Sequence, residues 1–257
     1  MGHLKYAADH WSNDARPASA LAKSAQLGTL PFNQMEWEMF SSLLPKSMEG
    51  LTVLDYGCGV GWVAIHCAQR GAKVVGIEPS EAAVRAAVQA ADHEGVLHRC
   101  RFEVTDKVVG GPYDVILAKD VIEHLEDDES WVRDVGSALK PGGTFIFSTH
   151  NDRCLNYLLE GGYHRWWCGN TRWMGWDPTH VRFYNASTLT ALLARQHLRV
   201  SKWASVWIIP YNIVHWLTLL RYDVTISSLA YFDRWFGKMP PFNRLGWGLM
   251  AVCRREQ

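Results

Sequence analysis

Asp120, Glu123 and His124 stand close together in the stretch Lys119-Asp120-Val121-Ile122-Glu123-His124. Two carboxylates and an imidazole can hold a divalent ion and leave coordination positions for the oxygen atoms of a substrate. The same imidazole can instead serve as a general base. Offsets of three and four residues put the three side chains on one face, provided the turn is wound as a helix. Earlier in the chain, Val53-Leu54-Asp55-Tyr56-Gly57-Cys58-Gly59-Val60-Gly61 runs from an apolar strand into an acid and three alternating glycines. Such a turn brings the backbone close to a ligand, because glycine has no side chain and tolerates positive φ. Glu78 follows the glycines by about twenty residues, where a carboxylate can accept hydrogen bonds from both hydroxyls of a ribose.

These residues act together only if the fold delivers them to one edge. Trp62 to Arg70 has helical apolar spacing, which places the ligand of the glycine turn at a helix N-terminus. Lys73 to Ile77 reads as a second strand ending at Glu78, and Arg101 to Val104 as a third, closed by Thr105 and Asp106. Tyr113 to Ala118 is a fourth strand. Leu139-Lys140-Pro141-Gly142-Gly143 reads as a turn into a fifth, Thr144 to Ser148. Asn185 offers a cap for a helix to about Gln196, Leu198 to Trp203 a sixth strand, and Trp247 to Arg254 a seventh. Strands alternating with helices imply an α/β fold built on a mainly parallel sheet. A dinucleotide fingerprint, G-x-G-x-x-G from Gly57, would need glycine at the position of Trp62.

The D-x-G-x-G-x-G turn, the acid after the second strand and the "LKPGG" turn together resemble the class I S-adenosylmethionine-dependent methyltransferases. The likeness is specific from about Leu51 to Asn151 and thinner elsewhere. It implies a Rossmann-like seven-stranded sheet with helices on both faces, the last strand antiparallel. It also implies S-adenosylmethionine held by Asp55, Gly57, Gly59, Gly61, Glu78 and Pro79, with Asp106 facing the adenine amino group and Lys119 nearby. The acid-x-x-Glu-His segment resembles the ubiquinone-biosynthesis O-methyltransferases and the small-RNA 2′-O-methyltransferases. In those families a later histidine completes a metal site; His180 is the best match here, and His150 the second. Three roles stay open: Mg²⁺ or another divalent metal on Asp120, Glu123, His124 and His180; metal-free base catalysis by His124 or His180; or capping and packing alone.

With 257 residues, a single domain with insertions is the natural organisation. Residues 1–50 read as an N-terminal helical cap, with a helix from Pro31 to Leu44 and with Trp11 and Tyr6 as candidates for a pocket wall. Residues 51–151 are the cofactor-binding core, and 152–184 and 205–244 are aromatic-rich insertions expected to cover the substrate. Nine of the 13 tryptophans lie beyond position 160. Arg165, Arg172 and Arg182 could clamp an anionic acceptor, while Trp173 and Trp207 could wall a flat ring or an isoprenoid. O-methylation of a phenol or polyprenylated quinol is the first expectation, and C-methylation of an isoprenoid or prenyl diphosphate the alternative. A third reading, a module acting on RNA or binding nucleotide without catalysis, suits poorly a net charge of zero with no basic run. Residues 207–220 are apolar but interrupted, so a buried hairpin is expected there, with peripheral membrane contact or an apolar substrate tunnel as the alternatives. Scattered cysteines and no apolar leader suggest a cytoplasmic protein; oligomeric state is not legible.

Overall fold

The computed structural model describes residues 31–173, 175, 177, 179–210 and 231–256. Trp11, Tyr6 and most of the expected hairpin at 207–220 therefore lie outside the described residues. Helix α1 spans Pro31–Ser41 and precedes strand β1, Thr52–Tyr56. There follow α2 (Trp62–Gln69), β2 (Lys73–Glu78), α3 (Glu81–His93), β3 (Cys100–Val104) and β4 (Tyr113–Lys119). The second half holds α4 (Asp128–Ala138), β5 (Leu139–His150), α5 (Leu155–Gly162), α6 (Ala186–Ala194), β6 (Leu198–Val206) and β7 (Gly248–Arg255).

The seven strands form one sheet in the order β3-β2-β1-β4-β5-β7-β6. Strands β1 to β5 are parallel, and β7 enters antiparallel between β5 and β6, as the family likeness implies. Both faces are covered, so strand residues alternate between two cores rather than between core and water. Val53, Val115, Leu117, Ile146, Met250 and Val252 pack with α1 and α2 on one face. Leu54, Ile116, Phe145, Phe147, Leu249 and Cys253 pack with Trp131 of α4 and Leu189 of α6 on the other.

Local chemistry sets the ends of these elements. Ser80 caps α3 and Asp127 caps α4. Asn185 and Thr188 form a reciprocal capping box at α6, which ends at Ala194, two residues short of the expected end. Helix α1 likewise stops at Ser41, short of Leu44. The expected "LKPGG" turn is drawn into the start of β5 instead. Leu139 pairs with Tyr113, the register shifts, and Thr144 resumes opposite Val115, with Gly142 at φ 72° in the bulged stretch.

The glycine turn is positioned by packing as much as by conformational freedom. Gly57, Gly59 and Gly61 all have positive φ. A Cβ on Gly61 would lie 2.7 Å from the Ala87 Cβ and 3.1 Å from the Phe102 ring, whereas one on Gly59 meets nothing within 4 Å. Gly61 thus seats α2 against α3 and β3, and Gly59 faces open space. Gly61→Ala is expected to lower unfolding free energy by about 2 to 4 kcal/mol through left-handed strain and overpacking. Urea titration of the wild type and variant measures that loss.

Candidate functional site

Two neighbouring regions form at the carboxyl ends of β1, β2, β4 and β5. The first is a cleft of about 270 Å³ walled by Tyr56, Gly57, Gly59, Val60, Glu78, Pro79, Ser80, Asp106, Asp120, Val121 and His124, among others. Glu78 Oε2 accepts from the Gly59 N–H at 3.2 Å and Oε1 from the Ser80 N–H at 3.1 Å, so one carboxylate shapes both sides of the turn. Burial raises its pKa, partly offset by those two N–H donors. Tyr56 donates its hydroxyl to the Asp106 carbonyl, which ties the loop after β3 to the end of β1.

Asp55 and Gly61 stand behind this wall rather than on it. Asp55 is almost wholly buried, and its Oδ2 has no hydrogen-bond partner among the described residues. Desolvation drives its pKa up to about 7, against a backbone N–H of Ala64 and with a further push from Glu78. Lys119 also departs from its expected place. It is ion-paired with Glu36 of α1 at 3.2 Å and with Asp120, so it braces the helix against the strand end. Burial would lower its pKa, but the two carboxylates raise it, and Lys119 stays charged.

The second region lies beneath the end of β5. The segment after β4 is not wound as a helix: Asp120 has φ 54°, and a single tight turn covers Ile122–His124. The expected shared face therefore does not form. Asp120 turns to Lys119 and to the Ser148 hydroxyl, which donates to its Oδ1 at 2.7 Å. His124 faces the cleft, with Nδ1 3.1 Å from the Thr179 hydroxyl. Glu123 points into the interior, fully buried, where Oε2 accepts from Thr149 at 2.9 Å and Oε1 faces His150 Nδ1 at 2.9 Å.

His180 completes the group. Glu123, His150 and His180 each offer one ligand atom, all within 4.8 Å of one another. The set that converges thus keeps Glu123 and His180 from the sequence expectation but takes His150 in place of Asp120 and His124. Burial opposes charge on His150, yet its contact with Glu123 outweighs that and raises its pKa. His180 is lowered to about 4 by burial and by the neighbouring His150, so its imidazole is neutral near pH 7. The two regions touch, since the His124 and His180 rings lie 4.8 Å apart.

Aromatic rings from the first insertion and from the approach to β7 wall this group. Trp247 packs on His150 at 4.4 Å and Phe183 on His180 at 5.3 Å, with Tyr157 of α5 against Phe183 at 4.7 Å. Of these three the sequence singled out only Phe183, as the aromatic that follows His180; Tyr157 and Trp247 carried no signal beyond the aromatic-rich composition. The three arginines do not converge. Arg165 donates to the Tyr157 hydroxyl and the Trp173 carbonyl, and Arg182 is paired with Asp128 and the Glu126 carbonyl. Arg172 is solvent-exposed. Trp173 is buried beside Tyr157 and His164. Trp207 lies in the core, its backbone N–H donating to Asp233 at 2.6 Å, so it walls neither region. No diphosphate clamp is assembled by these residues.

Residues 35–202 match the family model described as "Methyltransferase domain". The chain belongs to the class I S-adenosylmethionine-dependent methyltransferases. Among curated relatives of this methyltransferase, the ubiquinone biosynthesis O-methyltransferase of Parvibaculum lavamentivorans is 36% identical over 198 residues, 74% of each chain. That of Methylobacterium sp. (strain 4-46) is 35% identical over 117 residues, 45% of this chain and 47% of the relative. The chain thus spans about half to two thirds of the length of the first curated relatives it matches. A solved S-adenosylmethionine-dependent methyltransferase from Mesorhizobium loti shares the fold at 20% identity and a TM-score of 0.60, covering 86% of this chain and 98% of that one.

The cleft fits the cofactor of this family. Gly59 leaves an open cradle that any Cβ would enter, and Val60, Pro79 and Val121 supply an apolar wall. Glu78→Gln keeps one of the two acceptors for the turn, puts an amide donor against the other N–H, and removes the charge. It is expected to weaken S-adenosylhomocysteine binding about tenfold or more, read by calorimetry, while circular dichroism stays unchanged.

Asp55 yields a pH prediction. Its folded pKa, about 7, stands above the ordinary 3.8, so the native state binds the extra proton between these values. Its contribution to stability is intact below about pH 4 and is lost as pH rises toward 7. In the cofactor-free methyltransferase, Asp55→Asn should gain melting temperature relative to wild type from pH 4 to pH 8. A flat difference across that range refutes the assignment.

Proposed function

We propose that this methyltransferase transfers a methyl group from S-adenosylmethionine to an oxygen of a small, largely apolar ring compound, a phenol or a polyprenylated quinol. The observation that carries the reading is the buried Glu123–His150–His180 group, roofed by Trp247, Phe183 and Tyr157 and adjoining the cleft through His124. Aromatic walls suit a flat ring, and a carboxylate beside imidazoles suits an acceptor that must lose a proton. The match to O-methyltransferases of ubiquinone biosynthesis adds support.

In this reading the Gly57–Gly59 backbone and the Glu78 carboxylate hold the ribose end of the cofactor, and Asp106 faces the adenine amino group. The bound cofactor supplies an electrophilic methyl on its sulfonium. The protein then has two tasks: to hold the acceptor oxygen in line, and to take its proton. A phenol loses its proton near pH 10 in water, so assistance matters at neutral pH. His180 is neutral and so free to accept that proton, but burial and His150 make it a weak base. The role therefore depends on Glu123, oriented by Thr149, compensating the charge that forms.

The same three residues would also hold a divalent ion. Two imidazoles and one carboxylate favour a first-row transition ion over Mg²⁺, which prefers oxygen donors. Such an ion would supply a lowered pKa for the acceptor hydroxyl. His180→Gln and Glu123→Gln should each reduce kcat by about 10²- to 10⁴-fold with a quinol or catechol acceptor. Calorimetric affinity for S-adenosylhomocysteine should stay at the wild-type value. Mass spectrometry and NMR of the product identify the methylated atom. Full activity in both variants, or a methyl on carbon, overturns the reading, and metal content before and after chelation separates the ion from the base.

A further inference from the structure

The buried group is assembled from separate stretches of chain. Glu123 comes from the tight turn Ile122–His124, His150 from the end of β5, and His180 from residues 179–184. Residues 179–183 lie outside any helix or strand, so only contacts with neighbours can place His180. Those contacts run along the turn after β4. The Glu123 carbonyl accepts from the Val181 N–H at 2.8 Å, and the Glu126 carbonyl from Arg182 at 2.7 Å. Asp128 Oδ2 then accepts from Arg182 at 2.8 Å and from the Tyr184 hydroxyl at 2.8 Å. Tyr184 is fixed from its other side as well. Its N–H donates to the His150 carbonyl at 3.2 Å, and its carbonyl accepts from the Asp152 N–H at 2.7 Å. One buried carboxylate oxygen therefore stands where all three stretches meet.

We propose that Asp128 is a positioning residue for the methyl transfer. Through Arg182 and Tyr184 it sets the register of residues 179–184 and holds the His180 ring against Glu123 and His150. Helix α4 does not account for a buried acid here. Its N-cap is Asp127, and exposed Glu129 supplies charge to the same first turn while pairing with Arg195. Burial first, and the Asp128 carboxylate second, push the Tyr184 hydroxyl well above the usual phenol range, so it remains a donor. Two donors on one charged oxygen give a directional tie. The ring it places must be held closely, because a shift of about 1 Å at a reacting group costs about a hundredfold in rate.

The turnover arm of the test rests on the O-methylation reading; the placing of the rings is read without any acceptor. Asp128→Ala removes the shared acceptor, whereas Asp128→Asn leaves an oxygen that both donors can reach. Glu129→Ala removes a charge from the same turn of α4 and serves as control. With a catechol or quinol acceptor, Asp128→Ala is expected to lower kcat about tenfold to a hundredfold, with affinity for S-adenosylhomocysteine unchanged. Asp128→Asn should regain most of that loss, and Glu129→Ala should match the wild type. Adding Tyr184→Phe to Asp128→Ala should cost little further, since both break one tie.

In the cofactor-free proteins, NMR at one fixed pH reads the imidazole Cε1–H signals, assigned with His150→Gln and His180→Gln. Those of His150 and His180 should move in Asp128→Ala and return in Asp128→Asn, while those of His66 on α2 and His93 on α3 stay in place. If Asp128→Ala does not fold, Tyr184→Phe carries the same readouts at smaller amplitude. A lowered melting temperature with kcat and ring signals unchanged would make Asp128 merely structural and overturn the proposal. An equal kcat loss in Glu129→Ala would overturn it too. Wild type that performs no O-methylation, with the His180 signal still moved by Asp128→Ala, overturns the O-methylation reading and supports the positioning.

Discussion

The main chain at His150 and Asn151 holds both insertions to the sheet. Asn151 donates its N–H to the Trp247 carbonyl at 3.0 Å, and the His150 carbonyl accepts from Tyr184 at 3.2 Å. The Asn151 side chain, wholly buried, donates to the carbonyls of Arg244 and Gly246 at 2.9 Å each. A buried amide with satisfied donors in this position is strongly directional, since leaving any of these carbonyls unpaired would cost free energy. The consequence is geometric. The two segments that close the insertions arrive beside the end of β5, and Phe183 and Trp247 are brought onto the rings of His180 and His150.

Electrostatics organise the same region in two layers. Toward the cleft, Lys119 neutralises Glu36 and Asp120, tying α1 to the strand end and holding Asp120 below the usual carboxylate range in spite of its burial. Deeper in, Glu123 has no exposure and no lysine or arginine partner in the described residues; its counter-group is His150. Glu123 thus shares its surroundings with two imidazoles, one pushed toward the cation and one held neutral, the arrangement on which the proposed proton or metal chemistry rests.

Much of the cofactor side was legible in the chain. Glycines at 57 and 59, the acid at Glu78 and the closing acid at Asp106 all line one cleft, because strand, turn and helix are local and parallel register carries their carboxyl ends to one edge. Even there, role could not be read from motif alone. Gly61 packs against Ala87, and Lys119 braces Glu36, since motif spacing states which residues are near but not which way they face. The histidine group was legible only in part. Its error came from assuming a wound turn at Asp120 to His124, where a left-handed residue and one tight turn send Glu123 inward and His124 toward the cleft.

The amino-acid sequence by itself determined the seven strands and the place of the glycine-turn cleft. Those depend on interactions within a strand–turn–helix unit, where hydrophobic period and glycine placement leave few alternatives. Only the tertiary structure decided that His150 joins Glu123 and His180, that Trp247 and Phe183 roof them, and that the arginines turn elsewhere. These residues lie after β4, on β5, in the first insertion and on the approach to β7, so their meeting depends on antiparallel insertion of β7 and on the Asn151 hydrogen bonds. Contacts between segments so far apart in the chain are set by how the whole core packs, and no short stretch of sequence carries that information.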